Sequence, residues 1–248
     1  MPALATMPPV HVDQADLARF GVRWNANGGS LSRTPPESSS ELGQLLDQAV
    51  GQALAVMLGG IPIVTPNASS LTPSPANCVE VGPVTIVGGV RPQRYDVGYR
   101  PDGPRFAFDS KSLNDTQSVS KNFLNMVNDL ATEATTVHTR FPYALVAFMF
   151  IVPRPCLAER SRKAAAAIDT LDRLARRDHF DDPDHLAEAI AVVVWDPDSG
   201  AIDPEIPSPG SRLRLEQFSP TVERIYVARY EGLPPHQRSG LPELEEQP

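Results

Sequence analysis

The chain has 248 residues and a net charge of −8, and it is long enough for one α/β domain with a sizeable core. The acidic balance argues against a protein that coats nucleic acid through a general basic surface, and leaves room only for a local basic site. Two cysteines, Cys78 and Cys156, are too few for a disulfide framework or a zinc cluster and are expected to be packing residues. With no signal-peptide pattern and no apolar run long enough to cross a bilayer, we expect a cytoplasmic protein.

Twenty-six prolines, grouped in a few segments, divide the chain into three parts. A short element over 13–24 precedes an Asn-, Gly-, Ser- and Pro-rich stretch, so residues 1–40 are predicted to be an N-terminal extension with a flexible linker. Residues 41–232 carry the patterns of regular helices and strands and are predicted to be one domain. Residues 233–248 are predicted to be a Pro-rich, acidic tail.

An amphipathic helix is predicted at the start of the domain. Ser38 and Glu41 have the S-x-x-E spacing of a capping box, and apolar residues follow at helical spacing up to the pair Gly59-Gly60. Short β-prone runs broken by Gly and Pro come next, over 79–90.

Residues 94–111 predict a β-hairpin that carries two acidic residues and a lysine. The Arg-Pro-Asp-Gly sequence in its middle has the chemistry of a tight turn. If the Asp-Gly pair forms the tip, Asp96 lies opposite Asp109, and Lys111 shares their face. Two carboxylates that converge in this way are unfavourable unless a cation lies between them, so the hairpin predicts a divalent metal site.

An Asp-x-Lys sequence on an exposed hairpin is usually no more than a solvated surface. Here the strand with Asp109 and Lys111 is apolar on its other side, at Phe106 and Phe108, and a long helix and an apolar strand follow it. The acidic face is therefore expected to lie on a sheet.

The rest of the domain alternates between helices and strands. Helical patterns cover 116–139, 157–177 and 219–230, whereas apolar strand patterns cover 143–152 and 189–195. This alternation predicts an α/β fold with a central mixed β-sheet flanked by helices.

The stretch 94–152 resembles the PD-(D/E)XK nuclease superfamily, and in particular its type II restriction endonucleases. That family has a first acidic residue on one strand and (D/E)-x-K on the next, in a restriction-endonuclease-like αβββαβ core. The matching residues here are Asp96, Asp109, Ser110 and Lys111. Asp102 of the literal Pro-Asp pair competes for the first position, but it falls at the predicted turn tip.

The resemblance implies Mg²⁺-dependent hydrolysis of DNA phosphodiester bonds that leaves 5′-phosphates, with Mn²⁺ as a substitute metal. Asp96, Asp109 and the carbonyl group of Ser110 would hold the metal, and Lys111 would orient the attacking water and offset charge on the phosphate. Glu41, from the first helix, is a candidate further acid, although its capping-box position explains it without catalysis.

The implied partner is double-stranded DNA, cut by a homodimer. Within restriction-modification and antiviral defence, a cognate DNA methyltransferase would be the functional partner. Polar residues on the hairpin and on the following helix are candidate DNA contacts, although such residues are as often solvated surface. These candidates are Arg94, Arg105, Lys121, Asn122 and Asn125.

Three other interpretations remain open at this point. One is a repair or antiphage nuclease of the same superfamily with little sequence preference. Another is a non-catalytic domain on a nuclease-like fold that binds nucleic acid or protein, which the negative net charge leaves open. A third is an unrelated α/β protein with a chance Asp-x-Lys, in which Asp96 and Asp109 would lie far apart.

Overall fold

The computed structural model describes residues 3–31, 37–67, 70–116, 119–158 and 161–236. Its centre is a six-stranded mixed β-sheet in which the strands lie in chain order. The strands are β1 (Ile63–Val64), β2 (Val79–Val87), β3 (Pro92–Tyr99), β4 (Phe106–Ser112), β5 (Leu145–Pro153) and β6 (Ala189–Trp195). The pairs β2-β3 and β3-β4 are antiparallel, whereas β1-β2, β4-β5 and β5-β6 are parallel.

Helices cover both faces of the sheet. They are α1 (Gln14–Ala26), α2 (Glu37–Met57), α3 (Val119–His138), α4 (Arg154–Ala158), α5 (Ser161–Leu174) and α6 (Leu215–Tyr230). Apolar residues of α1, α2 and α6 pack on one face, and those of α3 and α5 pack on the other. Because β5 and β6 lie between these two layers, all their residues are buried, and their sequences are apolar throughout. The predicted α/β fold with a central mixed sheet is confirmed.

The N-terminal part of the chain departs from the predicted extension. Met7, Leu17 and Trp24 are buried in the same core as α2, so no boundary separates the first part of the chain from the domain. The helix α2 is already formed at Glu37, and Ser38 is therefore part of the helix instead of its cap. Of the predicted linker, residues 25–26 belong to α1 and residues 37–40 to α2, and residues 32–36 lie outside the described residues.

At the other end of the chain, the fold continues past the predicted start of the tail. His236 is buried and contacts Tyr226 of α6, so residues 233–236 belong to the folded part. Residues 237–248 of the predicted tail lie outside the described residues.

Cys78 and Cys156 are both buried thiols, as their expected packing role requires. In the part of the chain that the structure describes, no helix is both long enough and apolar enough to cross a membrane.

Candidate active site where β3 and β4 separate

The strands β3 and β4 pair in the register that the turn chemistry predicts. Their ladder joins Val97 to Phe108 and runs from there towards a tip at Asp102 and Gly103. The same register brings Asp96 opposite Asp109, one residue beyond the last ladder pair of the described structure. The side chains of Asp96 and Asp109 hydrogen bond to each other, whereas Asp102 lies at the tip and pairs with Arg105.

Asp96 lies where β3 turns from one face of the sheet to the other. Val97 belongs to the core under α2, whereas Tyr95 belongs to the core under α3, although residues two apart in a regular strand share a face. The strands separate at this point, and the side chain of Asp96 takes the place of a ladder partner. Its Oδ2 accepts hydrogen bonds from the backbone N–H of Ser110 at 2.9 Å and from the Ser110 hydroxyl group at 3.1 Å.

A further acid, Asp47, reaches this place from α2. The hydroxyl group of Ser110 bridges Asp96 and Asp47, which is only 7% exposed. Gly43, one helical turn earlier, allows the close approach, because a Cβ atom there would lie 3.2 Å from Ser110 Oγ. Oδ1 of Asp47 is buried and has no hydrogen-bond partner among the described residues.

Asp109 and Lys111 share the face of β4 that is turned towards α3, where they meet a second unpredicted acid, Glu133. The ammonium group of Lys111 donates to the Asp109 carboxylate and, at 3.0 Å, to Oε1 of Glu133. Gln93 of β3 donates to the same oxygen at 3.2 Å. Oε2 of Glu133 is buried and, within the described residues, has no partner.

Burial dominates the electrostatics of this cluster. Burial and the neighbouring Asp96 raise the pKa of Asp47 to about 8, and burial with a hydrogen bond to Asp96 raises the pKa of Asp109 well above its usual range. Burial also raises the pKa of Glu133. Burial alone would lower the pKa of Lys111, but the carboxylates of Asp109 and Glu133 outweigh it and raise that pKa. Burial therefore penalises the charged forms of Asp47, Asp109 and Glu133, and a bound cation would offset that penalty.

Among the described residues, four carboxyl groups meet here, and Lys111 contacts two of them, Asp109 and Glu133. In the described residues, no three or more His, Cys, Asp or Glu side chains are arranged as a metal site. The acids of this cluster instead hydrogen bond to one another and to Ser110. The donor set nevertheless suits a hard cation, because it consists of carboxylate and hydroxyl oxygens, and Asp47 leaves one buried oxygen unsatisfied. Asp96 and Lys111 are partly exposed, so solvent reaches the cluster from one side.

Two of the predicted site residues lie elsewhere. Glu41 is about half exposed and pairs with Arg23 of α1, so Asp47 is the α2 acid that faces the cluster. Arg105, predicted to contact DNA, is 4% exposed, pairs with Asp102 and lies over the ring of Tyr230. A guanidinium group buried in this way is not accessible to a phosphate backbone. Through its pair with Asp102, Arg105 instead holds the hairpin tip.

The remaining DNA-contact candidates lie on the surface, apart from the acids. Arg94 is exposed on β3, and Asn122 and Asn125 are exposed on α3, more than two turns before Glu133. The side chain of Lys121 lies outside the described residues.

No family model matches the chain, and neither a curated protein nor a solved structure shows significant similarity to it. A function for this chain therefore has to be inferred from its own residues.

Both acids that the sequence prediction missed carry one detectable signal. Asp47 lies on the helical stripe that includes buried Leu46 and Val50, and Glu133 lies on the stripe that includes buried Leu130 and Val137. A carboxylate on the apolar face of a helix is costly to bury unless it has a partner or a function. Helical spacing places both acids on such a face, but it does not say what they meet there.

Proposed function

We propose that this chain is a Mg²⁺-dependent DNA endonuclease with a restriction-endonuclease-like core, acting as a type II restriction enzyme. The observation that carries the proposal is the meeting of Asp96, Asp109 and Lys111 where β3 and β4 separate. The order of α2, β2, β3, β4, α3 and β5 supports it, because it follows the αβββαβ order of the family that the hairpin resembles, with the two-residue strand β1 added before β2.

The metal ligands in this proposal are Asp96, Asp109, the carbonyl group of Ser110, and Asp47 in place of Glu41. When bound there, Mg²⁺ would polarise the phosphoryl oxygens of the scissile phosphate. The raised pKa values of Asp47 and Asp109 support this assignment, because functional carboxylates are often held in environments that penalise their charge.

Lys111 faces the place where charge would build up on the phosphate. Its ammonium group would stabilise that charge and orient the attacking water. The water oxygen bonds to phosphorus and the bond from phosphorus to the 3′ oxygen breaks, which leaves a 5′-phosphate and a 3′-hydroxyl group that gains a proton. A homodimer would cut both strands of double-stranded DNA.

Digestion of supercoiled plasmid with Mg²⁺ tests the proposal. We expect the purified chain to cleave, and Asp109→Asn and Lys111→Met each to lower the rate by roughly 100-fold or more, as for loss of a group that acts in the transition state. Asp198→Asn, at an exposed position after β6, is the control for loss of an acid, and it should keep the rate. Thermal midpoints of all variants would show that the losses are not due to unfolding.

The digestion products separate the remaining roles. Discrete fragments with 5′-phosphate ends would support a restriction enzyme, whereas a smear would support a nuclease of the same chemistry with little sequence preference. Absence of cleavage together with absence of Mg²⁺ or Mn²⁺ binding by isothermal titration would overturn the nuclease proposal in favour of a non-catalytic binding domain.

A further inference from the structure

Glu133 is a buried acidic neighbour of Lys111 that comes from a helix. It is 6% exposed at its side chain, it comes from α3 and not from the hairpin, and its Oε1 accepts from Lys111 at 3.0 Å. The ammonium group is therefore held from two sides, by Asp109 of its own strand and by Glu133 of a helix packed on the sheet.

The position of Glu133 is itself fixed by β3. The Tyr95 hydroxyl group donates to the backbone carbonyl of Glu133 at 2.8 Å, and Gln93 donates to its Oε1 at 3.2 Å. Both contacts come from the strand that carries Asp96. One strand thus supplies an acid of the site and also the two groups that hold the second carboxylate on Lys111.

A buried lysine needs a counter-charge, and Asp109 already provides one through a direct contact. A second buried carboxylate adds a desolvation cost that neutralising Lys111 does not require, and it leaves Oε2 of Glu133 without a partner in the described structure. What the second contact adds is direction, because an ammonium group with two charged acceptors has little freedom to move.

We infer that Glu133 is a positioning residue, which holds the Lys111 ammonium group over Asp109 so that it faces the reacting phosphate. The inference rests on the proposed nuclease function and adds to it a residue outside the Asp-x-Lys pattern. Glu133 acts on turnover through Lys111 and does not touch DNA.

Kinetics of three variants test this role. Glu133→Gln keeps the size and the acceptor oxygen but removes the charge, and Glu133→Leu removes both. We expect kcat to fall by roughly 10- to 100-fold, more for Leu than for Gln, as for partners that orient a reacting group. KM for plasmid should stay within about twofold, because positioning of Lys111 affects the reacting state more than ground-state binding. Asp129→Asn removes an exposed carboxylate one turn earlier on α3 and is the matched control with unchanged kcat.

A second measurement follows the position of Lys111 without any cleavage. The chain has three lysines, Lys111, Lys121 and Lys163, so dimethylation with formaldehyde and cyanoborohydride can be followed at each by peptide mass spectrometry. We expect Lys111 to react slowly in the native protein and several-fold faster in Glu133→Gln, with the other two lysines as internal references.

The two measurements separate the possible failures. Unaltered labelling of Lys111 in Glu133→Gln, or unaltered kcat despite faster labelling, would overturn the positioning role. Absence of Mg²⁺-dependent cleavage by the native chain would instead remove the proposed function, and the labelling would then still decide whether Glu133 holds Lys111.

Discussion

The buried charged residues that the structure describes include ion pairs with opposite partners and one cluster with an excess of carboxyl groups. At the edge near β2, Glu80 and Arg100 form a buried pair in which the guanidinium group also donates to backbone carbonyls. Near the start of β6, Glu188 pairs with Arg177 and Arg229, and Arg177 also pairs with Asp184. In both of these sets the acidic groups equal the arginines in number, which is the arrangement expected of structural ion pairs. In the cluster around Asp96, by contrast, the four carboxyl groups that the structure describes outnumber the one ammonium group described there, that of Lys111.

An excess of buried carboxyl groups lowers the free energy of unfolding, and a substitution at Asp47 can measure by how much. Its carboxyl group is buried beside Asp96, so replacing it with the neutral Asn should stabilise the metal-free protein. We expect the free energy of unfolding in urea, with EDTA at pH 8, to rise by about 1 kcal/mol or more in Asp47→Asn, since one unit of raised pKa corresponds to about 1.4 kcal/mol. Cleavage by the same variant should fall.

Glu41→Gln is the comparison for this experiment. It also replaces an acid of α2 with its amide, but at a half-exposed position, and its free energy of unfolding should stay within about 0.5 kcal/mol of the native value. A less stable Asp47→Asn would mean that the carboxylate supports the fold, and would remove the argument that the residue is retained for function.

At the scale of elements, the contact between the turn after β2 and α3 sets the position of Glu133. Gly88 lies so close to α3 that a Cβ atom there would come within 2.1 Å of the Thr136 backbone carbonyl oxygen. Because that oxygen belongs to a helix backbone, it has little room to move. The turn therefore fixes how α3 packs over β3, and with it the distance between Glu133 and Lys111.

Gly88→Ala should consequently both destabilise the protein and slow cleavage. We expect a loss of about 1 to 3 kcal/mol in the free energy of unfolding, as for overpacking of a close contact. Val90, 61% exposed in the same turn, provides the control Val90→Ala, which should change neither quantity appreciably. Native stability in Gly88→Ala, measured by urea unfolding, would show that the turn adapts and does not fix α3.

The elements also show what could be predicted from the sequence and what could not. The hairpin register was predictable because the Asp-Gly tip and a two-residue strand period determine which residues face each other. The strand β6 was predicted with its observed limits because an apolar run has clear ends. Asp47 and Glu133 depend on how α2 and α3 pack on the sheet, and spacing along one helix does not say which acid will meet a strand. Glu41 was selected for its capping-box spacing, which is a local signal without information on that packing.

In the molecule as a whole, the candidate site and the contacts that hold the hairpin tip lie at opposite ends of β3 and β4. The unmatched acids lie towards the C-terminal end of β4, whereas the hairpin tip at the other end is closed by residues from α6 and from the segment that follows it. There His236 packs against Tyr99 and Tyr226 beside Arg105. The last described residues thus fasten the hairpin that carries the site to the helix on its far side.

This fastening should depend on pH. Burial, together with the nearby Arg105, lowers the pKa of His236 to about 4, while the unfolded chain takes up the proton near 6.5. Between these values the unfolded state binds more protons, so stability falls as the pH drops through this window. The Tyr226 hydroxyl group contacts Nε2 of His236, and Nδ1 of His236 has no hydrogen-bond partner in the described residues. The second N–H of a protonated His236 ring would therefore find no acceptor there.

We expect the native chain to lose on the order of 1 kcal/mol more between pH 7 and pH 5 than His236→Gln, which keeps a polar group but does not titrate. Urea unfolding at both pH values measures the difference. His185→Gln removes an exposed histidine and should follow the native protein. Equal losses in the native chain and in His236→Gln would mean that the C-terminal segment detaches without affecting the core, and the hairpin would then be held by the contacts of Arg105 and β3 alone.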